Sequence, residues 1–253
     1  MLKQSYKNFE ILLIDDGSSD GTADAVKSLL PATTVITGPG NWWWAGSLQQ
    51  GYDWLRAQRP ALDELVLIAN DDTTFGEEFL EEAVRYLACK SRTLLLAQPR
   101  SHHTGKVIES RIHLDWDNLS FESTSDPGMV NCLSTRGLFL RIRDLYEIGG
   151  FHPKLLPHYF SDFEYTYRAH KLGMTLVSTP EVNLVMDEKS TGIREARAES
   201  SIERLKMLLQ VRASGNPFYF SAFVMLACPA SQVVRNLLRV WIRFAFIILR
   251  GEP

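Results

Sequence analysis

Carboxylates stand at four places in this chain where side-chain chemistry can be done. Asp15 and Asp16 close the apolar run "FEILLID" and open the loop "DGSSDGT". Asn70, Asp71 and Asp72 follow the apolar run "ELVLIA". Asp162 opens "SDFEYTYRAHKLG", and Asp187 lies within "NLVMDEKSTG". A carboxylate at a strand end can accept hydrogen bonds from a sugar hydroxyl or a base N–H, although Asp, Gly and Ser also build plain strand-to-helix turns. The second cluster says more, because a charge directly after a run of pure hydrophobes has no structural use. Its oxygens are hard ligands suited to Mg²⁺ or Mn²⁺, ions that bridge carboxylates to phosphates. Alternation along an extended chain puts residues 70 and 72 on one side and 71 on the other. A solvated turn is the competing reading there.

The elements that must hold these residues follow a βα rhythm. Strands are expected at 9–15, 33–38, 64–70, 93–99 and 130–142, and helices at 20–30, 45–58, 76–89, 143–151, 161–173 and 198–213. Residues 100–130 read as irregular and polar. Continuous apolar strands separated by helices imply a mostly parallel sheet flanked by helices, an α/β fold. Ligands in such sheets bind beyond the carboxyl ends of the strands, where both acidic clusters sit. Trp42, Trp43 and Trp44 precede the 45–58 helix, and three consecutive indoles cannot all face inward on a regular element. Trp43 or Trp44 is expected beside a ligand, where a ring stacks well. His102, His103 and His113 lack metal-ligand spacing and read as surface residues, while His158 stands four residues before Asp162.

Composition narrows the class. Hydrophobic residues make up 45% of the chain and charged residues 23%, which are globular values. The net charge of −3 offers no general attraction for nucleic acid. Charge is nonetheless unevenly spread, since residues 194–250 carry nine Arg or Lys against three Glu. Cys89, Cys132 and Cys228 match no metal spacing and read as reduced and buried, as in a cytosolic protein. "MLKQSYKNFE" has no apolar core of a signal peptide.

Four segments in order resemble the inverting glycosyltransferases of family 2, which have the GT-A fold: "QSYKNFEILLIDDGSSDGT", "NWWWAGSLQQGYDWL", "VLIANDDTTF" and "GLFLRIRDLYEIGGFHPKLLPHYFSDFEYTYRAHKLGM". The resemblance implies that Asp15 and Asp16 contact the base and ribose of a nucleotide-sugar donor. It implies that Asp72, the last residue of a DxD-like triplet beginning with Asn70, ligates Mg²⁺ or Mn²⁺. Asn70 and Asp71 would lie at the donor, with Trp43 stacked nearby. Asp162 matches the general base, with Ser161 in the place of the family's usual Glu. At a helix start the dipole is expected to keep it ionised. Glu164 is expected to point away on that helix. Asp187 stands near the family's metal-binding His and is the substitute ligand. The family also begins with an earlier central strand that nothing before Met1 supplies, so unpaired sheet edges are expected.

The expected organisation is a transferase domain over 1–193, nucleotide-binding to residue 99 and acceptor-side beyond it, then a basic and apolar helical tail over 194–253. In "VVRNLLRVWIRFAFIILR", Arg235, Asn236, Arg239, Arg243 and Arg250 share an arc of about 100°. That pattern suits a peripheral helix at the inner face of the cell membrane, with arginines toward lipid phosphates; packing on protein is the alternative. The acceptor would be a glycan or a lipid-linked sugar. Three other readings compete. A phosphorylated receiver domain would use Asp15, Asp16, Asp71 and Lys106, but its spacing is too short for this chain. A dehalogenase-like phosphatase needs Asp-x-Asp-Gly-Thr, which is absent. An inactive nucleotide-binding module would keep the fold and lose the chemistry.

Overall fold

The computed structural model of the protein describes residues 1–187 and 200–250. In chain order the elements are β1 (Leu12–Asp15), α1 (Thr22–Leu29), β2 (Thr34–Thr37), α2 (Trp43–Gln58), β3 (Leu65–Ile68), β4 (Thr73–Thr74) and α3 (Phe79–Leu87). Then come β5 (Thr93–Ser101), β6 (Arg111–Asp115), β7 (Ser120–Ser123), β8 (Cys132–Leu133), β9 (Leu138–Arg141), α4 (Ile142–Ile148), α5 (Ser161–Lys171) and β10 (Thr175–Met186). The tail supplies α6 (Ser201–Leu208), α7 (Pro217–Ala227) and α8 (Val233–Arg250). The expected boundary at residue 193 and the start of the 198–213 helix lie outside the described residues.

The sheet is mixed rather than mostly parallel. β1 pairs β2 in parallel and β5 pairs β10 in parallel, but β9 enters antiparallel between β3 and β5. β4 adds to β10 antiparallel, and β6 and β7, from residues expected to be irregular, form a small antiparallel sheet with β8. That stretch was illegible because its alternation is short and polar; Trp116, Leu114 and Leu119 fold inward from it all the same. The β1–β2 pair forms a sheet of its own, separate from the five-stranded order β3-β9-β5-β10-β4. Helix α2 serves both sheets. Its Gly51 faces Ile14 of β1, while Trp44, Leu48, Tyr52 and Leu55 pack on the core around Ile68 of β3.

Two apolar layers sandwich the larger sheet. Leu94, Leu96, Leu138 and Leu140 point to the side of α2, α4 and α5, and Leu95, Ala97 and Phe139 to the side of α3. Period-2 alternation explains the division. One glycine is required where strand 130–142 was expected to run unbroken. Gly137 has φ +84°, and a Cβ there would meet Leu184 Cδ2 at 2.4 Å. Its N–H donates to Ile68 O (2.8 Å) and its carbonyl accepts from Ala97 N (2.9 Å). The chain therefore breaks between β8 and β9, and residues 134–136 are free to line a site.

The tail is packed on the protein, and three of its arginines, although Arg235 and Arg243 are exposed, hydrogen-bond to the chain itself. Arg235 and Asn236 donate to Trp116 O, Arg239 to Asp117 O, and Arg243 to the carbonyls of Asn118 and Leu119. The turn at 116–119 presents a row of backbone acceptors that would otherwise lack partners, and guanidinium groups satisfy them. Beside the exposed Arg235, Arg243 and Arg250, α8 leaves a set of large apolar side chains to solvent: Val234, Leu238, Trp241, Ile242, Phe246 and Leu249. Helix α7 lies in a bed of aromatic rings, with Phe223 stacked on Trp116 and Phe220 stacked on Phe160. Among the cysteines, Cys132 and Cys228 are buried and free as expected. Cys89 is exposed, because it lies in the polar turn that leaves α3.

Candidate active site

The first acidic pair is bound up in its own loops. Asp15 is buried, and its Oδ1 accepts from Ser18 N at 2.8 Å, closing the turn after β1. Asp16 accepts three backbone hydrogen bonds from the tryptophan loop. Gly40 N donates to Oδ1 at 2.8 Å, and Trp42 N and Trp43 N donate to Oδ2 at 2.7 and 3.1 Å. The loops come this close because Gly17 and Gly38 have no side chains; a Cβ on Gly17 would stand 2.9 Å from Gly40 N, and one on Gly38 would stand 2.6 Å from Asp16 Oδ1. Asp16 thus acts as the anion at the mouth of α2, a role that the dipole and the free N–H groups of a helix start both favour.

The three indoles separate, as one helix start cannot bury them together. Trp43 adopts φ +57°, a left-handed conformation that is costly for a bulky residue. Its ring meets His158 edge-on at 6.2 Å, and the Arg212 guanidinium lies 5.1 Å above it. Burial, then the nearby Arg212 charge, holds the His158 pKa below the usual histidine value. Trp44 turns the other way and reaches the acceptor-side segment. Its indole N–H donates to Asp162 Oδ1 at 2.7 Å and lies 3.1 Å from Thr135 Oγ1.

Asp162 stands at the second position of α5, after Phe160, which is also left-handed at φ +66°. Its Oδ2 accepts from Thr135 N at 3.1 Å, and Ser161 Oγ lies 3.5 Å from Oδ1. Thr166, fully buried one turn on, ties α5 to β8 by accepting from Leu133 N at 3.0 Å. The side chain keeps a partial opening to solvent, but protein atoms crowd it closely. That desolvation pushes its carboxyl above the ordinary aspartate value, and the Thr135, Trp44 and Arg136 contacts oppose it without cancelling it. The expectation that the helix dipole sets the balance is therefore corrected: burial wins. Glu164 does point away, as expected, into a buried bidentate pair with Arg168 at 2.8 and 2.9 Å.

The second acidic cluster forms the turn between β3 and β4, where the Thr73 hydroxyl donates to Asn70 O at 2.8 Å. Asp71 is exposed to solvent, and residues 70–72 form a turn rather than the extended chain on which the 70/72 alternation was read. Asn70 Oδ1 and Asp72 Oδ1 are both shielded from water with no hydrogen-bond partner. Two sheltered, uncommitted hard oxygens suit a small divalent cation. Asp187 follows Met186, which pairs with Thr73, so the register runs on toward Asp187 and Asp72. Asp187 is 2.9 Å from His103 Nε2, a pairing that the spacing of the histidines did not disclose. No group of three His, Cys, Asp or Glu gathers among the described residues, so any cation here would take other ligands from a bound anion. Arg136 joins the clusters: it lies 3.8 Å from Asp72 Oδ2, and its charge acts on Asp162. Thr135 and Arg136 are the residues that motif reasoning missed, and Trp44, expected beside a ligand, instead holds Asp162. Only the break forced by Gly137 could have flagged the first two.

With this geometry in view, comparison settles the family. The sequence pattern described as Glycosyl transferase family 2 matches residues 1–135. The chain belongs to that family. A search of curated proteins finds no match. Among solved structures, GalNAc-T7 with UDP, GalNAc and Mn²⁺ superposes with a TM-score of 0.58 at 12% identity, covering 99% of this chain and 52% of that one. Staphylococcus aureus TarS gives 0.58 at 16% identity, covering 97% of this chain and 50% of TarS. TarS 1–349 gives 0.55 at 15% identity, covering 99% and 68%. The family-2 chain thus has the α/β GT-A fold with a helical C-terminal tail, and spans about half the length of GalNAc-T7 and of TarS.

Proposed function

We propose that this family-2 chain is a metal-dependent inverting glycosyltransferase, moving a sugar from a nucleoside-diphosphate sugar to a hydroxyl of a glycan or lipid-linked acceptor. The observation that carries the reading is the Asp162 carboxylate: partly open, desolvated, and held on both oxygens by Trp44 and Thr135. A pKa raised by burial makes its carboxylate a stronger base than that of a free aspartate. Asp162 takes the proton of the acceptor hydroxyl as that oxygen attacks the anomeric carbon, and the configuration inverts. Mg²⁺ or Mn²⁺ at Asp72, with Asp187 and the Asn70 oxygen beside it, would neutralise the departing diphosphate as a Lewis acid. Arg136 adds a fixed positive charge at the same place. Asp15, Asp16, Trp43 and Asp71 surround the donor side, where Asp16 acts through the loop it holds.

The test is a thermal-shift series with UDP, GDP, dTDP and CMP, each with and without Mn²⁺. The UDP and Mn²⁺ named for the GalNAc-T7 structure make that the first pair to try. A ligand at 100 times its Kd adds about 2.7 kcal/mol, a Tm rise of roughly 5–10 °C for a domain this size. We expect one nucleotide to give that rise, and only with metal. A flat panel would favour the inactive nucleotide-binding module instead.

The tail supports peripheral membrane contact through 217–250 by its apolar stripe rather than by its arginines. No helix among the described residues is long and apolar enough to cross a membrane. Leu238 and Ile242 are 60% and 54% exposed, so aspartates there should leave the fold intact. Loss of two such side chains from a lipid interface is worth about 3 kcal/mol, or about 100-fold in binding. Leu238→Asp/Ile242→Asp is therefore expected to abolish flotation with anionic vesicles. Equal flotation of the double variant and the wild type would reject membrane contact by this face.

A further inference from the structure

We propose that Trp44 is a positioning residue for Asp162, and that Asp16 anchors the loop that delivers it, so that one side-chain chain links the donor-side carboxylate to the base. The inference rests on the reading of Asp162 as the base. Three observations carry it. First, the Asp162 carboxylate is held between donors from two separate segments, the indole of α2 and the backbone N–H of Thr135. An indole is a donor only and cannot take the proton away, so it orients the carboxylate without competing for its chemistry. Second, Trp44 stands one residue and Asp162 two residues after an aromatic residue in the left-handed region, Trp43 and Phe160 respectively. Such backbone persists only where the surroundings over-determine it. At Trp43 those surroundings are the three hydrogen bonds to Asp16 and the Ala45 N–H bond to Pro157 O at 3.0 Å. At Phe160 they are the Phe220 and Phe223 rings of α7, stacked at 4.7 and 5.3 Å. Third, the indole also touches Thr135 Oγ1, so the same N–H fixes the neighbour whose backbone completes the cradle.

The charged and titratable surroundings of Asp162 are few. Arg136 acts on it from the segment between β8 and β9, and Ser161 Oγ lies beside it on α5. His158, on the segment before α5, turns its ring to Trp43 and Tyr159. Helix α2 offers only the indole. Removing that N–H therefore removes one of the few groups that favour the carboxylate over the acid, and the Asp162 midpoint must rise.

Trp44→Phe keeps the ring and deletes the donor. The primary readout needs no substrate: the Asp162 side-chain carbon resonance, assigned by its loss in Asp162→Asn, is followed against pH in the two proteins. The expected shift in Trp44→Phe is about one pH unit upward, the size of one lost hydrogen bond to a charged group. Once a donor and acceptor pair is in hand, the acid limb of kcat/KM should move by the same amount, with part of the lost rate regained at higher pH. A purely structural role for Trp44 would instead lower the rate equally at every pH. In the wild-type protein the Trp44 indole proton should titrate with the Asp162 midpoint, which keeps the test available if the variant does not fold. An indole resonance indifferent to that midpoint, or an unshifted Asp162 in Trp44→Phe, overturns the proposal. Intact coupling in a protein that transfers no sugar would instead sink the base assignment and leave the hydrogen-bond link standing.

Discussion

Asp162→Asn is expected to lower kcat for the proposed sugar transfer about 10³-fold, in the range attributed to a general base, and to leave the proposed metal-dependent nucleotide binding intact. The variant fails for two physical reasons. An amide cannot take the proton of the acceptor hydroxyl. It also cannot satisfy its own site, because Trp44 N–H and Thr135 N–H donate to opposite oxygens of Asp162. Asn has one acceptor atom and one NH₂, so the NH₂ must face a donor whichever way it turns. The wild-type pH profile supplies a second check. Burial raises the Asp162 pKa, so the ionised, active form is lost as pH falls through a midpoint above the ordinary aspartate value near 3.9. The acid limb of kcat/KM should therefore lie above that value and vanish with the residual rate of Asp162→Asn. An unchanged rate in the variant would move the base elsewhere. Glu164 is no replacement, since Arg168 holds both its oxygens.

The strands were legible in the sequence because burial on both faces leaves an apolar run with no other use. "TLLLAQP" became the fully buried start of β5, and its alternation even divided the core, Leu94 and Leu96 from Leu95 and Ala97. Direction was not legible. β9 reads as apolar as any parallel strand but enters antiparallel, since a run of hydrophobes carries no sign of which way it points. In α8 the arc of arginines was legible, but the hydrogen bonds that Arg235, Arg239 and Arg243 make to the chain were not. Helical periodicity shows that two faces differ; it does not say which meets solvent. The row of carbonyls at 116–119 decided that, and those carbonyls come from a stretch whose own sheet was not visible. At the site, Asp162 and the 70/72 pair were recognisable as motif positions. Thr135 and Arg136 were not, nor was the bond of Trp44 to Asp162, because these roles come from contacts between distant parts of the chain, such as Trp44 with Thr135. Asp16 lies between these cases: its position pointed to a site, and its partners are the loop's own backbone.

Asp16→Ala separates those two roles. If Asp16 served only to hold the donor nucleotide, its removal would raise KM and leave the free protein untouched. The geometry requires more. Three N–H groups at 2.7–3.1 Å lose their acceptor at once, and each unsatisfied donor costs about 1–3 kcal/mol when fully buried. The residue is only half-buried, so water replaces part of the loss, and a total near 2 kcal/mol is expected. For a chain of this size that lowers Tm by roughly 4–8 °C. Asp16→Asn keeps one acceptor and should recover about half of the fall. The larger effect is on chemistry. Without its anchor the left-handed Trp43 can relax, Trp44 drifts from Asp162, and the base loses its orientation; a misplacement of about 1 Å can cost 10²-fold in rate. We therefore expect kcat to fall about 10²-fold in Asp16→Ala although Asp16 itself touches neither Trp44 nor Asp162. Combining Asp16→Ala with Trp44→Phe should add little to the rate loss of either alone, since both break the same link. Fully additive losses, with an unchanged Tm, would show that the carboxylate works on the nucleotide and that the loop holds its shape without it.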